Sequence, residues 1–326
     1  MTQQYGRKIS LIVGQSSGDA LDLSGLRIVF DVERGDIDTP NSAHIRVYNV
    51  SDNTARLVEA EFTRVVLQAG YEGNYGIIFD GSIVQVRRGR ESPTDTYLDI
   101  SAADGDAAYN FATVNATLAA GATQSDIVKV CADAMAPYGV SVGYVADLPA
   151  NPLARGKVLF GLARDHLRSV SRSTNCLWSI QDGQLQIVPE TSYVPGQVPV
   201  INAKSGMIGM PEQTQNGISV RMLLNPSIKI GRLIKLDNSS IQKYEYSLAV
   251  SQQVANRNAA LQNKINGDGL YYVMNSQIWG DTRGNDWYTE VICLAVDATA
   301  GVQLRTAASG VSAPAPAKLG TINPYG

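Results

Sequence analysis

Through its first hundred or so residues the chain alternates apolar and polar side chains with a period of two. Ile9, Leu11 and Val13 alternate with Lys8 and Ser10, and Leu26, Ile28, Phe30 and Val32 with Arg27, Asp31 and Glu33. Ile45 and Val47 alternate with Arg46 and Tyr48, Val65 and Leu67 with Arg64 and Gln68, and Leu98, Ile100 and Ala102 with Tyr97, Asp99 and Ser101. Successive side chains of a strand point to opposite faces, so each segment must bury one face and wet the other. Turn-forming breaks separate the segments, at Asp38-Thr39-Pro40-Asn41 and in the glycine-spaced stretch Gly70 to Gly76. One short helix is expected at about 52–60, with Ser51 as its N-cap. Residues 1–105 therefore read as an antiparallel β-barrel module with one small helix.

Residues 106–199 change character. Thr123-Gln124-Ser125-Asp126 has capping-box spacing, and Ile127, Cys131, Met135 and Tyr138 follow at helical intervals up to Gly139. Short strands are expected near 140–146 and 157–160, and a second helix from about Leu162 with His166 and Val170 on one stripe. A hairpin then spans Leu177 to Ile187. With Asp182-Gly183 as a type I′ turn, Ile180 faces Leu185 and Trp178 faces Ile187. This is a small α+β insert, closed by the Pro-containing stretch 189–199. Residues 200–298 return to strands, with Val220–Leu224, Ile228–Leu236, and a long hairpin of Tyr271–Trp279 and Trp287–Val296. A polar stretch, Asn256 to Asn266, is helix-compatible. Residues 299–326 form a Pro/Ala/Gly-rich tail expected to be poorly ordered.

Composition narrows the function classes. The net charge of −3 supplies no general polycation for a phosphate backbone. Charged residues are 17% of the chain, against roughly 25% in typical domains, which suits a subunit that buries much of its surface on neighbours. No run of about 18 apolar residues marks a membrane span. The polar start Met1-Thr2-Gln3-Gln4-Tyr5 points to cytoplasmic synthesis without a secretory signal. Three scattered cysteines (Cys131, Cys176, Cys293) and two histidines (His44, His166) give neither a disulfide framework nor zinc-ligand spacing. No G-x-S-x-G elbow is present. Asp36/Asp38 and Asp104/Asp106 lack calcium-loop spacing and read as turn formers. Arg87-Arg88-Gly89-Arg90 is a basic cluster at a strand end, either a charged sheet edge or a local positive patch. The residues alone indicate no enzyme, no catalytic or metal-binding set and no cofactor.

Four stretches together resemble the tail or baseplate hub proteins of bacteriophages, which link the tail tube to the central spike. They are Pro40 to Asp52 (a strand running into a helix through Tyr48-Asn49-Val50-Ser51), the Leu177–Pro189 hairpin, Gly206 to Pro226 with the following Ile230–Leu236, and Gly280 to Trp287 between two strands. The resemblance implies a mainly β fold with two tube-like antiparallel β-barrel modules flanking a small α+β domain. It also implies a homotrimer whose six modules form a ring that matches a hexameric tail tube on one side and the spike on the other. Baseplate wedge proteins would be further partners. DNA would pass through without specific binding, past a polar and often acidic wall. The protein would reside in the virion, assembled in the host cytoplasm, with no membrane insertion. No lysozyme or peptidase segment is recognisable. The alternatives are another tail or secretion-apparatus adaptor or plug, and a cell-wall hydrolase, which needs a converging carboxylate pair. Candidate interface residues are Arg87, Arg88 and Arg90 at a rim, and Asp281, Arg283 and Trp287 in a loop able to reach a neighbour.

Overall fold

A computed structural model describes residues 5–15, 18, 20–214, 217–236 and 269–295. The polar stretch 256–266 and the tail 299–326 lie outside these. The strands are β1 (Arg7–Gly14), β2 (Ala20–Asp22), β3 (Ile28–Gly35), β4 (Ser42–Tyr48), β5 (Arg64–Tyr71), β6 (Asn74–Arg90), β7 (Thr96–Ala103), β8 (Thr113–Leu118), β9 (Ser141–Val145), β10 (Lys157–Leu162), β11 (Cys176–Gln181), β12 (Gln184–Pro189), β13 (Val200–Ile201), β14 (Met207–Thr214), β15 (Gly217–Leu223), β16 (Leu233–Leu236), β17 (Leu270–Asp281) and β18 (Trp287–Ala295). The helices are α1 (Asp52–Ala60), α2 (Asp106–Phe111), α3 (Gln124–Met135) and α4 (Ala163–Thr174).

The period-two segments become the strands of a large, mostly antiparallel sheet with the order β14-β15-β18-β17-β3-β4-β7-β6-β5-β1-β2, to which β16 adds beside β17 and β13 beside β16. The fold is mainly β, with an α+β part between two sets of strands. The sheet passes from one set to the other without a break, because β17 pairs with β3 from Asn275↔Gly35 to Asp281↔Val29. Two strands change partners half-way. β6 pairs with β5 up to Ser82 and with β7 from there to Arg90. Gly81 sits at that corner, where a Cβ would lie 2.7 Å from the Ala103 carbonyl oxygen and from the Phe79 ring, so only glycine fits. β17 likewise pairs with β16 over Leu270–Tyr272 before joining β3. These corners fold the sheet over its own apolar face.

Three apolar cores result. The first holds Leu11, Ile28, Phe30, Ile45, Leu67 and Ile100, and takes in Leu224, Ile278 and Trp287 from the later strands. The second lies in the insert, where α3 and α4 cover Val114, Leu159, Trp178 and Ile187. The third holds Ile201, Val220, Ile230, Ile234, Tyr271 and Val291. Ser51 caps α1 through the Thr54 amide, and Thr123 with Asp126 forms the capping box of α3.

The sequence reading placed one strand over Ile228–Leu236. Only Leu233–Leu236 is a strand. Ile228 and Ile230 enter the third core through turns, and Gly231 takes a positive φ of 82°. The short α2 and β8 carried no clear periodicity and were not anticipated; the insert core holds them through Ala108 and Val114. No helix among the described residues is long and apolar enough to cross a membrane.

Candidate functional site

The face of the sheet opposite the cores is a polar concavity of about 770 Å³ that spans both sets of strands. Register builds it row by row. One row runs Arg221–Glu290–Gln277–Glu33–Ser42 across β15, β18, β17, β3 and β4. The next runs Tyr288–Trp279–Asp31–His44–Ser101–Gln85, and a third runs Asp281–Val29–Arg46–Asp99–Arg87. Most members on β15, β18, β17, β3, β4 and β7 are polar and flank buried neighbours in the same strand, so the alternation that makes the core also makes most of this wall.

Its charges are largely matched on the spot. Arg46 makes a bidentate pair with Asp99 at 2.7 and 3.0 Å, and Arg27 reaches Asp281 at 2.7 Å. The bond from Arg27 holds the Asp281 carboxyl below its ordinary range. Asp31 accepts from the Gln277 amide through both oxygens at 3.0 Å. Arg221 stacks over Trp279 and Tyr288, 5.0 and 4.6 Å from their ring centres. Three arginines (27, 46 and 87) face five carboxylates (31, 99, 281, 286 and 290) in the concavity. Such a wall is polar and mildly acidic, with the guanidinium groups of Arg27 and Arg46 already engaged. Ser101 Oγ lies 3.2 Å from His44 Nδ1. The carboxylate opposite His44 is Asp31, which accepts from Gln277, and no hydrogen bond joins His44 to it among the described residues.

A second constellation joins the insert to both sets of strands. The Asp182-Gly183 turn has φ of 53° and 72°, as a type I′ hairpin requires, with Ile180 opposite Leu185 and Trp178 opposite Ile187. Its tip enters the junction. Asp182 pairs with Arg34 of β3 at 3.0 Å and with Lys229 at 2.9 Å. The Asp104 carboxylate, at the end of β7, accepts from the Asp182 and Gly183 amides at 2.6 and 2.9 Å. Asn41 and Gln181 complete the seam with bonds to Gln181 Oε1 and to the Gly35 carbonyl. Burial pushes Asp104 up to about 6, against the bonds from Gly183 and the charge of Arg34. Asp182 is held below its ordinary value: burial opposes ionisation, but the charges of Arg34 and Lys229 outweigh it.

The candidate interface residues separate. Arg87, Arg88 and Arg90 are exposed on the far half of β6; Arg88 pairs with Glu59 at 2.6 Å, and Arg87 faces the concavity opposite Asp99. Asp281 is spent on Arg27, and Arg283 is exposed in the β17–β18 turn. Trp287 is a correction. It is 1% exposed and packs edge-on to Phe30 with centroids 5.3 Å apart, while its indole N–H donates to the Gly70 carbonyl at 3.3 Å. A tryptophan at the first position of β18 falls on the inward face, so it fills the core and does not reach a neighbour.

The family model for baseplate hub gp41 matches residues 40–261. The chain belongs to the baseplate hub gp41 family. No curated protein sequence matches the hub chain. Among solved structures, it is similar to the 43 kDa tail protein of prophage MuSo2 from Shewanella oneidensis at 9% identity and a TM-score of 0.55, covering 90% of this chain and 98% of that one. It is similar to the tail protein from Neisseria meningitidis MC58 at 12% identity and a TM-score of 0.55, covering 89% and 97%. A chain of the Francisella PdpA–VgrG complex matches at 6% identity and a TM-score of 0.50, over 91% of the hub chain and 59% of its own. At these identities the likeness is one of fold. The described residues of the hub hold no cluster of three or more metal-ligating side chains.

Proposed function

We propose that this hub is a structural, non-enzymatic component of the phage baseplate. In this reading three copies form a ring joining the hexameric tail tube to the central spike, with wedge proteins outside. Residues 1–105 and 200–298 serve as the two tube-like modules of each copy, and residues 106–199 as the insert between them. The polar concavity is the wall of the DNA conduit. One observation carries this reading: the polar face continues without a break from β18 through β17 and β3 to β6, with Arg27 and Arg46 neutralised by carboxylates of the same wall. A conduit needs a smooth polar lining that does not grip phosphate, and a face spanning two modules per copy provides six module faces in a trimer. The bound arginines favour passage over binding, and the seam at Asp182 fixes the angle between the modules that a ring of constant curvature requires. The protein accordingly resides in the virion after assembly in the host cytoplasm.

Light scattering of the purified chain, followed by negative-stain imaging of the same peak, tests this. The expected result is a mass of three times 34.9 kDa with a ring-shaped projection. A compact monomer with no ring, alone or mixed with tube and spike proteins, overturns it.

A further inference from the structure

The insert and the strands are packed as separate bodies. No residue is common to the insert core and either strand core. The chain enters the insert through Asp104-Gly105, where Gly105 takes a positive φ of 68°, and leaves it by the Pro-containing stretch 189–199. The bonds that tie the two bodies together are polar. Besides the pairs of Asp182 with Arg34 and Lys229, Asn41 donates to the Ile180 carbonyl at 3.1 Å and Gln181 to the Gly35 carbonyl at 2.7 Å. Arg168 of α4 reaches Asp38 at 2.7 Å. A polar joint lets one body turn on the other, whereas a broad apolar interface holds both fast.

Beside the joint lies a groove of about 770 Å³, lined by Asp104 and the hairpin tip where the insert meets the strands. Its two sides differ. The insert side carries Ala107, Phe111, Pro137, Tyr138 and Val140. The strand side carries Thr63, Gly81, Ser82 and Ile83, with Arg64 already closed on Asp80 by bonds of 2.8 and 2.7 Å. Two aromatic side chains of the insert side are bare: Phe111 is 64% and Tyr138 41% exposed. The Tyr138 hydroxyl donates to the Phe111 carbonyl at 3.1 Å, which ties them into one lip. Aromatic rings held in water gain by burial. The side facing them across the groove is small and its one ion pair is already made, so closure there buries no unmet charge of the strand side.

We infer that the insert is a hinged lid: it turns about Gly105 and the Asp182 tip, closes the groove, and brings Phe111 and Tyr138 against Thr63, Gly81 and Ser82. Glycine in the left-handed region at the chain crossing is the kind of position that absorbs such a turn. The bonds at the pivot, where Asp104 holds the Asp182 and Gly183 amides, are kept, so the lid stays anchored while it swings. The two sets of strands do not move, because the β17–β3 ladder joins them directly. The inference is therefore independent of the ring reading.

The test places nitroxide labels at Arg56→Cys on α1 and Asp133→Cys on α3 of the full chain, diluted with unlabelled chain so that only distances within one copy are read. Both positions are exposed and outside the groove. Cys131, Cys176 and Cys293 are buried and stay unlabelled. Pulsed electron–electron resonance is expected to show two distances, one for the open groove and one for the closed. Phe111→Ser, at a side chain exposed in the open form, is expected to cut the closed population about tenfold, as withholding one aromatic ring from burial does. Thr63→Asp, also exposed, is expected to deplete it from the opposite side, because closure then buries an unpaired charge. Circular dichroism checks that both variants fold. A single distance in the parent, or a second population that survives either substitution unchanged, overturns the inference and leaves the ring reading standing.

Discussion

Replacing Asp182 by Asn removes one charge from the junction while keeping the shape of the side chain and its tolerance of the positive φ of 53° that the turn demands. In the parent, Arg34 is 4% exposed and its guanidinium meets Asp182 at 3.0 Å. After substitution it keeps only neutral acceptors, Gln181 Oε1 at 3.2 Å and the Ile78 carbonyl at 3.4 Å, together with the more distant charge of Asp104. Breaking a buried ion pair by removing one partner costs about 3–5 kcal/mol. Two features reduce this: the Asp182 side chain is 28% exposed, and the Asp104 carboxylate remains. The expected loss is therefore about 2–3 kcal/mol. Because the pair bridges insert and strands, the loss falls on their coupling. Urea unfolding followed by tryptophan fluorescence, alongside hydrogen exchange of the Gly183 amide, reads both quantities. The insert of the variant should open at lower urea than the β strands, and in an Arg34→Met background the Asp182→Asn step should cost at least about 1 kcal/mol less, as coupled neighbours do. A loss under about 0.5 kcal/mol, or the same loss in both backgrounds, would refute the view that this pair holds the junction.

Trp287→Ala should destabilise the protein by about 3–5 kcal/mol through the cavity left against Phe30, with no change in assembly per folded molecule; a loss below about 1 kcal/mol in urea unfolding would show that the side chain is not a core anchor. Asp104 takes up a proton on folding, since its folded value of about 6 lies above the ordinary 3.8. Its contribution is therefore full below about pH 4 and is lost as pH rises through 6. Between pH 4 and 6 the stability of the parent should fall with rising pH relative to that of Asp104→Asn, and identical slopes in the two chains would refute the assignment.

The sequence by itself determined the strand-rich modules, the place of the α+β insert, and the geometry of one turn in atomic detail. Each rests on an interaction within a few residues: two-residue alternation for a half-buried strand, Thr123 with Asp126 for a helix start, Asp182-Gly183 for a hairpin. The polar wall was half legible, because Asp31, His44, Arg46 and Asp99 are the off-beats of the same alternation, but nothing in one strand says which strand lies beside it. The pairing of β17 with β3, which makes one wall of two modules, joins residues 246 positions apart for Gln277 and Asp31 and was settled only by the folded chain. Trp287 shows the same limit from the other side. Its position after the polar loop 280–286 suggests exposure, and only the direction of β18 turns it into the core. Arg34 did leave a trace, since it continues the inward stripe Ile28, Phe30, Val32, where a charge must find a partner. Which partner could be known only when the hairpin tip arrived from another part of the chain. Local backbone preference is written residue by residue, whereas a pairing or a buried charge depends on long-range closure, which the whole set of packed elements decides together.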